Sequence, residues 1–209
     1  MFMSPRRAFN GCEAIVTGMF ERPSRAGHLP FGFADDTRVE TPSGLERIDH
    51  LSEGALVCGV GGRPLPVLRM MRRSYGAEIA QVYPEGLILV PRGTLGLSCD
   101  VYLTPDQPVC LTVPRVDGAE GIAMAQVRAR SLVGHGAIQT VLPVDGFAIT
   151  RPVFAHGARV RIEAGLTLYC PAVRERPQVL SDLAAQRYLG GLIPEAGAYP
   201  ATHKLPMVA

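Results

Sequence analysis

The sequence predicts an all-β domain of short, mainly antiparallel strands, closed by one short C-terminal helix. Three observations carry this reading. Brief apolar runs recur at close spacing from Phe31 onward; Gly and Pro, 23 and 18 of the 209 residues, punctuate them; and only one segment near the end has a helix signal. A hydrophobic content of 47% suits a globular chain of one large β domain with a small appendage.

Taken in order, residues 1–30 lack sustained alternation and contain Pro5, Pro23 and Pro30, so they are expected to be a separate leader or arm. Thr37–Thr41 alternates as a strand and stops at Pro42-Ser43-Gly44. Leu45–Leu51 is a short amphipathic piece. Leu56–Val60 is an apolar strand, Gly61-Gly62 a hairpin turn and Pro64–Met71 its return strand. Further strands are expected at Ile79–Val82, Leu87–Val90, Val101–Leu103, Val109–Val113, Gln139–Leu142, Phe147–Val153, Arg159–Glu163 and Leu166–Tyr169. Val127–Val133 suggests a helical turn. Ser181 is placed to cap a helix over 182–189, with Gly190-Gly191 as its stop and a loose tail beyond Pro194. The main domain is thus expected over residues 31–172, with the helix and tail over 173–209.

A net charge of +2, with basic residues scattered apart from Arg6-Arg7 and Arg72-Arg73, gives no concentrated face for nucleic acid. The five cysteines, Cys12, Cys58, Cys99, Cys110 and Cys170, are widely spaced and form no Cys-x-x-Cys pair, so neither a metal site nor a disulfide framework is expected. They are taken as buried thiols, Cys170 packing at a strand end. No cofactor motif occurs: the glycines at 59–62 lead into a strand, not the helix a phosphate loop requires. No Sec signal and no membrane-length apolar run is found. The chain is therefore expected to be soluble, either cytoplasmic or exported without such a signal.

One succession carries more information. Gly32-Phe33-Ala34-Asp35-Asp36-Thr37-Arg38-Val39-Glu40-Thr41-Pro42-Ser43-Gly44 is followed by Asp49–Val57 and then by Gly61-Gly62-Arg63-Pro64-Leu65-Pro66-Val67. Leu103-Thr104-Pro105-Asp106-Gln107-Pro108-Val109 comes some way on, and Ala158–Leu166 closes on Glu163-Ala164-Gly165-Leu166. In this order the segments resemble bacterial Hint domains, of the hedgehog/intein autoprocessing superfamily, over roughly residues 31–172. The resemblance implies the Hint β-fold. It also implies a chemistry in which a cysteine thiol attacks the carbonyl preceding it and a histidine protonates the departing nitrogen, while a threonine positions the peptide.

Set on this sequence, the resemblance puts Gly32 where the cysteine stands, Gln107 at the proton donor and Ala158 at a further histidine; Thr104 is retained. Glycine offers no nucleophile, and a glutamine amide exchanges no proton near neutral pH. His156, two residues before Ala158, would share its face if the segment were a strand, whether aimed at the cleft or held as a structural histidine. Asp106 is expected as a turn residue, and Asp35 and Asp36 as a solvated link.

Three functions follow as alternatives. The first is a Hint domain without self-cleavage, kept as a binding or structural module for a peptide or protein partner. The second is an active self-cleaving or splicing domain whose nucleophile is displaced to Cys12 or Cys170. The third is a hydrolase-like enzyme using His156, Thr104 and the aspartates. The short segments expected before Gly32 and after Ala172 leave little cargo to process, which favours the first.

Overall fold

A computed structural model of the chain describes residues 31–76, 85–114, 122–143, 146–173 and 175–189. The expected leader with Cys12, the strand Ile79–Val82, the Gly190-Gly191 stop and the tail lie outside the described residues.

Six strands form the larger sheet: β1 (Phe33–Ala34), β6 (Arg69–Tyr75), β7 (Leu87–Val90), β8 (Val101–Leu103), β11 (Gln139–Val141) and β12 (Phe147–Val153). Their order is β11-β7-β8-β1-β12-β6, every pair antiparallel. The second sheet runs β10 (Ile122–Arg128), β9 (Pro108–Pro114), β14 (Thr167–Cys170), β13 (Ala158–Arg161). Two hairpins complete the β structure: β2 (Arg38–Thr41) with β3 (Gly44–Arg47), and β4 (Leu56–Cys58) with β5 (Pro64–Pro66). The first meets the chain just past β13 at a bridge from Val39 to Ile162, and the second meets β13 at a bridge from Gly59 to Val160.

The apolar pattern explains the layering. Leu87-Ile88-Leu89-Val90 is apolar without alternation because β7 is covered on both faces. Ile88 and Val90 join the main core, which lies against the second sheet; Leu87 and Leu89 join a smaller cluster with Tyr102 and Ile149 on the other face. Phe33 of β1, with no exposed surface, points into the main core. Burial of this kind stabilises by about 1.5–3 kcal/mol per large side chain.

Turn chemistry sets the hairpins. Thr41 Oγ1 donates to Gly44 O at 2.6 Å and accepts from Ser43 N at 3.3 Å, closing a two-residue loop at Pro42-Ser43. Gly61 and Gly62 have φ of 83° and 75°, the left-handed region that a side chain disfavours. The helix Asp182–Leu189 begins as expected, with Ala184 N donating to Ser181 Oγ at 3.2 Å. Ala185 and Leu189 carry its apolar face into the main core, which Leu180 joins just before the helix.

Several expectations need correction. The return strand ends at Pro66, and Arg69–Tyr75 is a separate strand of the larger sheet, because Leu68 N turns to bond Val153 O at 2.8 Å. Leu45–Leu51 is half strand and half 3₁₀ turn, Ile48–His50. Val127 and Arg128 finish β10, and only Ala129–Leu132 is a helical turn, of 3₁₀ form. Strand β10 itself was not anticipated. Cys58 and Cys99 are only partly buried, whereas Cys110 and Cys170 are buried.

Candidate functional site

Of the residues that the resemblance singles out, the structure brings Gly32 and Thr104 together at β1, while Gln107 and Ala158 belong to the second sheet and its approach. Phe33 pairs with Leu103 on one side and Thr150 on the other. The antiparallel register therefore puts Gly32 level with Thr104 and Arg151. Gly32 is buried, and its missing side chain would point at the smaller cluster, opposite to Phe33. A Cβ built there would overlap Ile149 Cγ2 and stand 3.1 Å from Thr150 O. The space beside this backbone is already filled by Ile149.

Thr104 is fully buried, and its Oγ1 has no hydrogen-bond partner among the described residues. A buried hydroxyl in that condition costs about 1–3 kcal/mol. Gln107, 1% exposed, donates from Nε2 to Pro108 O at 3.1 Å and Tyr169 O at 2.9 Å. Its amide thus fastens the start of β9 to β14. Ala158 is buried opposite Cys170 in the β13–β14 ladder.

Asp106 stands in the turn after Pro105, as expected, but it is more than a turn residue. Its Oδ1 lies 3.6 Å from Arg128 Nε and 3.2 Å from Arg130 Nη1. Arg130 Nε continues to Asp182 at 3.6 Å, and Asp182 accepts from Ser131 Oγ. The chain of charges ties this turn to the start of the helix. The reading of Asp35 and Asp36 as a solvated link holds only for Asp36: Asp35 is buried, accepting from Thr150 Oγ1 at 2.6 Å and from Arg72. Its neighbour is exposed because the turn after β1 aims it outward. His156 sits in the bend between β12 and β13, not in a strand, and is exposed. The same-face argument therefore does not apply to it.

Arg151 was not singled out beforehand, although a charge within the apolar run Phe147–Val153 was a signal. Its Nη2 donates to Pro171 O at 2.7 Å, its guanidinium lies 5.8 Å from the Phe31 ring centre, and its buried Nε has no partner among the described residues. Burial lowers its pKa from the ordinary arginine value. Cys170 is 3% exposed, and burial pushes its thiol up to about 12, against a smaller opposing effect of Arg151. Cys110 is likewise pushed up to about 12 by burial. A thiol of that kind is almost wholly protonated at neutral pH and is a poor nucleophile. We expect neither cysteine to react with iodoacetamide in the native protein at pH 7.5, and both to be alkylated in denaturant; peptide mass mapping reads the difference. Native labelling at Cys170 would restore it as a candidate nucleophile.

Beside this region lies a cleft of about 620 Å³ between the β4–β5 hairpin and the bend after β12. Leu65 and Phe154 line its walls, Gln126, Ala158 and Tyr169 contribute further lining, and Arg63, His156 and Arg159 also face it. Sequence reasoning missed it, since its residues come from separate segments.

The arrangement is a β domain of two sheets in which β1 lies between β8 and β12, with Gly32 level with Thr104. The model of the Hint domain family matches residues 31–150, more than half of the chain. The chain belongs to the Hint domain family, and its fold is the Hint β-fold. Comparison with curated proteins found no match. Among solved structures, a bacterial intein-like domain from Clostridium thermocellum is similar at 15% identity and a TM-score of 0.47, over 68% of this chain and 99% of that one. The MchDnaB-1 intein follows at 14% and 0.39 (65% and 98% covered), and the gp41-1 intein at 12% and 0.37 (66% and 98%). Among the described residues no helix is long and apolar enough to cross a membrane.

Proposed function

We infer that this Hint domain does not cleave itself and serves as a binding or structural module. The observation that carries the reading is the closed position at Gly32: no side chain is present to attack the Phe31 carbonyl, and Ile149 occupies the space one would need. Two further features agree. Gln107 spends its amide protons on backbone carbonyls, and Ala158 brings no titratable group. With neither nucleophile nor proton donor, an N-to-S acyl shift has no first step. What persists is a stable frame with an open cleft, suited to holding a partner segment.

Intact mass of the freshly expressed chain, repeated after hours with dithiothreitol, tests this. The expected result is the undiminished mass of all 209 residues at both times. A fragment ending at Phe31, or at any other discrete bond, would overturn the reading and locate the nucleophile.

A further inference from the structure

We propose that the cleft between the β4–β5 hairpin and the bend at residues 154–157 binds an acidic peptide, an extended segment presenting carboxylate side chains next to apolar ones. The proposal rests on the binding-module reading and names its partner.

Three observations select this ligand. The first is size and lining: about 620 Å³, with apolar wall from Leu65 and Phe154, falls within the range of specific ligand sites. The second is charge. Arg63, His156 and Arg159 face the cleft, Arg159 with a partner of its own, and among the described residues no carboxylate is part of the lining. Arg63 is exposed and has no ion pair among the described residues. Glu175, which borders the Gly157 and Tyr169 wall, keeps its charge while accepting from the Tyr169 hydroxyl and, at 3.0 Å, from Ala172 N. The positive charge that favours an anion is therefore that of Arg63, at the opposite mouth.

The third observation separates a peptide from a simple organic acid. Gln126, a residue lining the cleft, keeps its Oε1 buried and without a partner among the described residues. Its terminal amide torsion is soft, so this oxygen can meet an incoming donor only by rotating out of its buried position. A carboxylate ion carries no donor at neutral pH. A peptide brings backbone N–H groups and carboxylates together, and its apolar side chains cover Leu65 and Phe154.

Fluorescence anisotropy on the full chain tests the proposal. The probe is fluorescein-labelled acetyl-Glu-Leu-Asp-Leu-Glu-amide; the control replaces its acids with Gln and Asn. We expect the acidic peptide to bind at least about tenfold more tightly and to weaken as salt rises. Arg63→Glu, an exposed change that spares the fold, is expected to remove about tenfold of that affinity. Gln126→Leu is expected to weaken both peptides about fivefold. Equal binding of the two peptides, no binding of either, or indifference to Arg63→Glu would each overturn the proposal. Intact mass of the same sample keeps the two conclusions apart: an uncut chain that binds neither peptide removes the ligand and leaves the non-cleaving domain standing.

Discussion

Asp106→Ala is expected to lower the free energy of unfolding by about 3–5 kcal/mol, because it withdraws a carboxylate from a guanidinium with almost no access to water. The Arg128 side chain is 4% exposed and that of Asp106 10%, so neither ion is screened well by solvent. Arg130, at 27%, holds part of its hydration and loses less. The damage is expected to travel along Arg130 to Asp182 and loosen the first turn of the helix. Urea unfolding followed by circular dichroism measures the loss. The double change Asp106→Leu with Arg128→Met is expected to recover a large part of it, since an apolar pair avoids the desolvation cost of a buried cation that has lost this carboxylate. A single substitution costing under about 1 kcal/mol would mean the pair behaves as a surface ion pair.

Gly32→Cys, which puts a thiol where the resemblance to Hint domains implies one, is expected to destabilise the domain by about 1–3 kcal/mol and to yield no cleavage. The new Cβ meets Ile149 Cγ2 and the Thr150 backbone, and the ladder from Phe33 to Thr150 leaves the strand little room to retreat. Adding Ile149→Ala opens the space and is expected to relieve the overlap, at the separate cost of a cavity in the smaller cluster. Chemical unfolding of the single and double variants, with intact mass in dithiothreitol, reads both effects. Cleavage by Gly32→Cys alone would mean that Gln107 and Ala158 had never been obstacles.

Much of the fold could be read from residue patterns, and the exceptions share a cause. Hairpin β2–β3 announces itself through Thr-Arg-Val-Glu-Thr alternation and a Pro-Ser-Gly turn, both local signals. Strand β10 does not: Ile-Ala-Met-Ala-Gln-Val-Arg is poor in β-branched residues, and its conformation follows from seven paired positions with β9. Arg69–Tyr75 misleads in the same way, as a charged strand whose partner, β12, lies far along the chain. At the site, substitutions within a motif were visible in sequence, so Gly32, Gln107 and Ala158 could be noted. Burial of Asp35 and the ion pairs of Asp106 were not visible, since Thr150, Arg72 and Arg128 reach them from other strands and Arg130 from the 3₁₀ turn after β10. The cleft is hidden for the same reason: Arg63, Gln126, His156 and Arg159 come from separate segments.

The placement of β1 also bears on how the molecule is made. This two-residue strand pairs with Leu103 on one flank and with Ile149 and Thr150 on the other. During synthesis from the N-terminus, the larger sheet cannot close until Thr150 has left the ribosome. Until then Phe33, Leu87 and Leu89 have no finished core to enter. Pairings this distant in sequence belong to slow folders, reaching the native state in milliseconds to seconds, not microseconds. The nascent chain therefore spends its growth with its most apolar strands uncovered, a period in which a chaperone has something to hold.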